Sequence, residues 1–390
     1  MSVKQGLTKP KKPRPDFPLT PNGCGQWSKK IKGKVHYFGT WDDPDAALRR
    51  YLAEKDAIHA GIEPAKPNGQ GTVGWLVNTF LDAKEQQRKD GDLSQRTFND
   101  LHKVCGAIVD FFGKTRAIDS LGPNDFQAMR AKFPDSWAPA TVNGRIRDVS
   151  SVMKFAYDIG AIDRRINTGI NFKRVSNKRQ RLHKAKQHAK EFTAAEIHAL
   201  LEHSPKQLKA MILLGINCGY GPADCGRLRI EQIDFKKRWL AGLREKTAVA
   251  RAAWLWPETI EAIREALAVR PEPRKDEWNG LVFITTHRRP WFIDGDKSNP
   301  IQIAFTKAAK KAGCVRKGVG HYALRHTLET QGGTDQVAID YVMGHADASM
   351  AAVYRESVAD LRVKAVCQGV RKWLLAGKPK AKRTGKKGGA

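Results

Sequence analysis

Apolar residues fall on one helical face in three long stretches between residues 73 and 170. Val73, Leu76, Val77, Phe80 and Leu81 form the first stripe, and Phe98, Leu101, Val104, Cys105, Ile108 and Phe112 the second. Val142, Ile146, Val149, Val152, Met153 and Ala156 form the third. Spacings of three and four predict amphipathic helices, and their succession predicts a bundle over 73–170. Ahead of it, Gln26–Ile31 and Lys34–Phe38 read as strands about a Lys-Gly-Lys turn. Asp43 and Pro44 then open a helix carrying Ala46, Ala47, Leu48, Tyr51 and Leu52, which makes 16–60 a small strand and helix module. The Gly/Pro-rich stretch 61–72 reads as a linker.

Beyond residue 190 the pattern changes. Thr193 and Glu196 have the spacing of a capping box at a helix start. Leu208, Met211, Ile212, Leu214 and Ile216 predict a second helix that stops at Gly219-Tyr220-Gly221-Pro222. Residues 238–257 read as a hairpin, with Trp239, Leu240 and Leu243 on one strand and Ala253, Trp254, Leu255 and Trp256 on the other. Ala338–Met343 is a short helix closed by Gly344, a residue suited to left-handed termination. A last helix over 355–374 carries Leu361, Val363, Val366, Val370, Trp373 and Leu374.

Charge sharpens this picture. The 390 residues carry 69 Lys and Arg against 40 Asp and Glu, a net charge of +29. An excess of that size calls for a polyanionic partner, with nucleic acid the default. Residues 173–190 hold eight Lys/Arg and no acid, and such a run cannot bury itself, so it marks a linker between domains. Near a duplex it would gain affinity by releasing counterions, which makes Lys178, Arg179 and Arg181 candidate DNA contacts. Lys29, Lys30 and Lys34 of the first module, and Arg145 and Arg147 on the polar face of the third bundle helix, join them. The ends, 1–15 and 377–390, are basic and poor in apolar residues, and read as disordered. No apolar run nears the roughly 18 residues of a membrane span, and the first residues lack a secretory apolar stretch. The expected compartment is the cytoplasm, with nucleoid association on DNA. Six scattered cysteines without a C-x-x-C pair argue against structural zinc or a disulfide framework.

The chemistry sits in the last quarter, in Leu324-Arg325-His326-Thr327, Gly344-His345 and Tyr354. With Lys246-Thr247 on the hairpin and Gly219 to Asp234 ahead of it, this order resembles the tyrosine recombinases, the phage-type integrases. The resemblance implies a multidomain, mainly α protein with small β elements. It would have an arm-type DNA-binding module at 16–60, a helical core-binding domain at 73–170 and a mixed α+β catalytic domain at 191–376. It implies that Tyr354 attacks a DNA phosphate and forms a 3′-phosphotyrosyl bond. Arg325 and His345 stabilise the transition state, and Lys246 protonates the 5′-oxygen that leaves. It further implies self-association to a tetramer on double-stranded DNA, and leaves room for an accessory DNA-bending protein. No P-loop, acidic metal cluster or zinc spacing occurs, so no metal or nucleotide cofactor is expected.

Two positions depart from the family pattern. The first catalytic Arg would fall at 221, which is Gly, and the His three residues before Arg325 is replaced by Tyr322. Arg227, Arg229 and Arg251 are neighbours able to replace the first, with Arg251 and Arg227 preferred, and His321 is the candidate for the second. The expected function is site-specific recombination for integration or excision of a mobile element. The rival is an integrase-like DNA-binding protein without strand transfer that occupies sites as a regulator. A nicking-closing topoisomerase using the same chemistry is a further alternative.

Overall fold

The computed structural model describes residues 9–60, 71–187, 189–296, 298–346, 349 and 357–377. The chain divides into two units, Met1–Gln180 and Arg181–Ala390. The expected linker 61–72, the two terminal tails and Tyr354 lie wholly or largely outside the described residues.

In the first unit, β1 (Thr20–Pro21), β2 (Gln26–Ile31) and β3 (Lys34–Thr40) form an antiparallel sheet in that order, followed by α1 (Pro44–Ala60). Lys32 and Gly33 make the tight turn, both with positive φ, as a two-residue hairpin loop requires. Trp27, Ile31, Phe38, Ala47 and Tyr51 close the core between sheet and helix. A register shift between Trp27 and Ser28 turns both residues inward. This corrects the expected exposed row of charge at Lys29, whose ammonium lies 4.9 Å from the Tyr51 ring centre. Lys30 and Lys34 are exposed as expected.

The expected bundle consists of α2 (Val73–Lys89), α3 (Gln95–Phe112), α4 (Pro123–Ala131) and α5 (Pro139–Asp158). All three predicted stripes contribute to its core, and Thr72 and Ser94 cap α2 and α3. On α5, Arg145 folds over the Trp137 ring at 5.5 Å and is half-buried, whereas Arg147 is exposed beside Asp148. Within the basic stretch 173–190, Asn177–Ala185 forms α6, a helix with no buried residue.

In the second unit, α7 (Ala194–Glu202) starts at the predicted capping box, with Thr193 Oγ1 accepting from Glu196 N at 3.2 Å and Glu196 Oε2 from Thr193 N at 2.8 Å. The second apolar stripe is α8 (Lys206–Cys218), buried along nearly its whole length. A short α9 (Pro222–Arg227) leads to β4 (Ile233–Asp234), β5 (Trp239–Arg244) and β6 (Val249–Trp254), an antiparallel sheet in chain order. Then come α10 (Pro257–Ala268), α11 (Pro300–Lys311), α12 (Ala323–Gln331), α13 (Gln336–Met343) and α14 (Asp360–Ala376). Buried Asn217 ties α8 to the sheet. Its Nδ2 donates to Trp254 O, and its Oδ1 accepts from Trp256 N and Thr259 Oγ1, all within 3.0 Å. The apolar face of α14 is used inside the chain. Val363, Val366, Cys367, Val370 and Leu374 join the main core, and Arg371 and Arg362 pair with Glu258 and Asp335.

The six cysteines are free thiols; Cys24 is exposed and the other five are buried. Burial raises the thiol pKa of all five, Cys105 and Cys367 to about 12.

Candidate active site

Two left-handed glycine turns anchor the site. Gly219 ends α8 at φ 66° and Gly344 ends α13 at φ 63°, a backbone that a side chain would strain. Each turn leaves carbonyl groups at a helix C-terminus without intrahelical partners. Arg325, on α12 and only 2% exposed, lies between them. Its Nη1 donates to Gly219 O and its Nη2 to Met343 O, each at 2.7 Å. A cation between two helix C-termini is favoured by both dipoles. Burial, and then the charge of Arg244, nevertheless push its pKa down to about 10. The fork expected to grip a phosphate thus also braces the fold, with two of its five N–H donors engaged.

The hairpin comes to the same place. Arg244, at the end of β5, donates to Gly344 O at 3.2 Å, and Thr247 Oγ1 donates to that oxygen at the same distance. Lys246 lies in the turn between them and is exposed. His345 directly follows Gly344, and its Nδ1 is 2.9 Å from Asp340 Oδ1. That contact favours the tautomer with the proton on Nδ1, leaving Nε2 as an acceptor. Gln336 Nε2 bridges Asp340 and Glu329, so the carboxylate behind His345 is itself held. Among the described residues, Glu329, Asp340 and His345 also form the one group with atoms close enough to share a metal ion. The amide hydrogen bonds to both carboxylates suit an orienting network better. Arg325, the hairpin turn that carries Lys246, and the residue after which His345 follows are therefore brought together at the backbone carbonyls of Met343 and Gly344.

The other half of the site is rewritten. At Gly221, an added Cβ would lie 3.2 Å from Tyr322 Cδ2 and 3.3 Å from Asp224 Oδ2. The Tyr322 ring therefore lies where a side chain at 221 would begin, so the two departures from the family pattern are one spatial change. Asp224 accepts from Gly221 N at 2.8 Å and from Arg251 Nη2 at 2.7 Å. Arg251 is 5% exposed, and its guanidinium stacks 3.8 Å from the Tyr220 ring centre. Of the possible substitutes, Arg251 thus adjoins the vacant position. Arg227 instead pairs with Glu245 and lies over Phe292, and Arg229 pairs with Glu231. His321 does not face this space. It is fully buried, its Nε2 lies 3.1 Å from Met211 O, its ring packs on Phe305, and burial lowers its pKa to about 4. Tyr322 is half-exposed, with its ring edge-on to His326. Sequence reasoning missed Arg244. Its place diagonal to Arg251 on one face of the hairpin follows from a register that the sequence alone does not state.

Residues 190–360 match the phage integrase family. This second domain is a phage integrase domain. Most of the chain also resembles solved integrases in fold. A lambda integrase dimer bound to a COC' core site is 17% identical, with a TM-score of 0.54 over 89% of this chain and 96% of that one. A lambda integrase tetramer bound to a Holliday junction is 17% identical with a TM-score of 0.56, over 89% and 98%. The Tn1549 transposon integrase in complex with a circular intermediate DNA is 15% identical with a TM-score of 0.55, over 75% and 96%. Comparison with curated protein sequences gave no match. Identities this low show a shared fold, that of integrases with a small N-terminal β module, a helical domain and an integrase domain. Among the described residues no helix is long and apolar enough to cross a membrane.

Proposed function

We propose that this integrase-family protein is a site-specific DNA recombinase that cuts and rejoins DNA through a 3′-phosphotyrosyl intermediate, serving integration or excision of a mobile element. The observation that carries the reading is the convergence of Arg325, the Lys246 turn and His345 on the Met343–Gly344 carbonyls. In this reading the Tyr354 oxygen attacks phosphorus and the P–O5′ bond breaks. His345 Nε2 accepts the proton that the Tyr354 hydroxyl gives up, Arg325 donates to the phosphate oxygens, and Lys246 delivers a proton to the leaving 5′-oxygen. The phosphotyrosyl bond conserves the phosphodiester energy, and a 5′-hydroxyl of the partner strand reverses the step. No metal or nucleotide takes part in this scheme. Double-stranded DNA is the partner, engaged by Lys30, Lys34, Arg147, Lys178, Arg179 and Arg181, with assembly to a tetramer on it.

One observation favours a second reading. Gly221 supplies no donor, and Arg325 is already bonded to two carbonyls. A protein left with that site would bind DNA and regulate access without joining strands.

Incubating the protein with supercoiled plasmid carrying the DNA that flanks its own gene, and trapping adducts with detergent, separates the two. A covalent adduct that Tyr354→Phe reduces by about 10³-fold or more, at unchanged DNA affinity, supports the recombinase. Saturating binding with no adduct from the unaltered protein supports the regulator. Relaxation of plasmids lacking any such site would point to a topoisomerase.

A further inference from the structure

The buried cations of the integrase domain are poorly matched by anions. Arg244, Arg251 and Arg325 are 7%, 5% and 2% exposed, and all three pack about the Gly344 turn. An added Cβ at Gly344 would touch Arg244 Cδ at 3.0 Å and Arg251 Cδ at 3.1 Å, and Arg325 bonds the preceding carbonyl. The carboxylate paired with any of them is Asp224, on Arg251. Burying charge without compensation is costly, and so is burying an N–H without an acceptor. Yet Arg244 Nε, Arg251 Nε and Arg251 Nη1 are buried and have no hydrogen-bond partner among the described residues. Three buried cations, one carboxylate and three donors still free to bond match the needs of an anionic ligand.

We propose that Arg244 and Arg251, from the two strands of the hairpin, join Arg325 in binding a tetrahedral oxyanion, the DNA phosphodiester that Tyr354 attacks, and thereby replace the donor that Gly221 lacks. This inference rests on the recombinase reading for the identity of the anion, but not for the existence of the site. Position supports it. The vacant side-chain direction at 221 points at Tyr322 and Asp224, and Asp224 holds Arg251. Moving the donor from α9 to β6 leaves the same carboxylate beside it. Chemistry supports it too, because guanidinium groups present paired N–H donors that match two phosphate oxygens, which an ammonium cannot do. Tyr322, filling the space at 221, then acts as a positioning residue that keeps the older route closed.

The test has two arms on the full chain, using Arg244→Gln, Arg251→Lys and, as a control paired with Glu231 away from the Gly344 turn, Arg229→Gln. Arg251→Lys keeps a cation for Asp224, so it tests the fork without leaving that carboxylate unpaired. In the first arm, melting is followed with inorganic phosphate against chloride at equal ionic strength. Phosphate should raise the melting temperature of the unaltered protein and of Arg229→Gln, and most of that rise should vanish in the other two. No rise in the unaltered protein, or the same rise in all variants, overturns the site. In the second arm, adduct formation is timed on DNA that the protein cleaves. Arg244→Gln and Arg251→Lys should slow it by about 10²-fold to 10³-fold, as losing a transition-state donor does, with DNA affinity little changed. Adduct at the unaltered rate in both variants overturns the catalytic assignment. A positive first arm with no adduct from the unaltered protein sinks the recombinase reading and leaves the anion site standing. Gly221→Arg with Tyr322→His, added to Arg251→Lys, should recover adduct, whereas Gly221→Arg alone should not.

Discussion

The molecule carries basic residues in two different ways. In the integrase domain, Arg244, Arg251 and Arg325 are buried, bonded to named carbonyls or to Asp224, and packed against glycine turns. On α6, Lys178, Arg179 and Arg181 are exposed and form no ion pair among the described residues. A buried guanidinium has a fixed direction and acts in a medium that strengthens its field. An exposed one keeps its hydration and is screened within about 10 Å at ordinary salt. The first kind can distinguish a transition state from a ground state. The second can raise affinity for any duplex, and no more. Net charge hides this division, because +29 counts both kinds alike.

The comparison can be broken most forcefully at Arg325. Arg325→Ala should abolish adduct, by about 10³-fold or more, and also destabilise the domain by roughly 2–4 kcal/mol, since two buried carbonyls lose their donor. Denaturant titration beside the adduct assay checks both effects; adduct loss with intact stability would mean that the fork is not structural. Burial has a pH signature at His321. Its folded pKa of about 4 lies below the ordinary 6.5, so the unfolded chain binds more protons between these values. Its contribution should be complete above about pH 6.5 and fall progressively toward pH 4, by up to about 3 kcal/mol. His321→Gln should flatten that acid slope in denaturant titrations at several pH values. Asp340→Asn should slow adduct formation by roughly 10²-fold without loss of DNA affinity, through the wrong His345 tautomer. A DNA-binding defect of equal size would refute that role. The smallest effects belong to α6. Neutralising Arg179 or Arg181 should weaken binding a few-fold on every sequence and make the log–log salt slope shallower by about 1. A sequence-dependent loss there would blur the distinction between the two kinds of cation.

Much of this was legible in the sequence, for stated physical reasons. Helical periodicity located the bundle because each stripe contributes to a core, and Thr193 with Glu196 located the start of α7 because the cap is local. Gly344 located the end of α13 because φ 63° favours a residue without Cβ. The pairing of Asp224 with Arg251 was not legible, as it joins residues 27 apart through a hairpin whose register the sequence does not state. Nor was the doubled role of Arg325, because its carbonyl partners come from α8 and α13, which meet only in the folded chain. His321 misled in the other direction. Beside the motif in sequence, it faces α8 in space, since adjacent residues at a helix start point different ways. Lys29 misled because strand alternation fails at the Trp27–Ser28 irregularity. The helix in 173–190 has no apolar stripe to announce it, consistent with its lack of any buried residue.

The distribution of thiols has a practical consequence. Cys24 is exposed in the turn between β1 and β2, while the other five cysteines are enclosed, with thiols that resist ionisation. A maleimide fluorophore near neutral pH should therefore attach at one position in the native protein, without mutagenesis. That dye would sit at the end of the sheet opposite the turn flanked by Lys30 and Lys34, where anisotropy could follow the first module onto a duplex while the integrase domain stays unmodified.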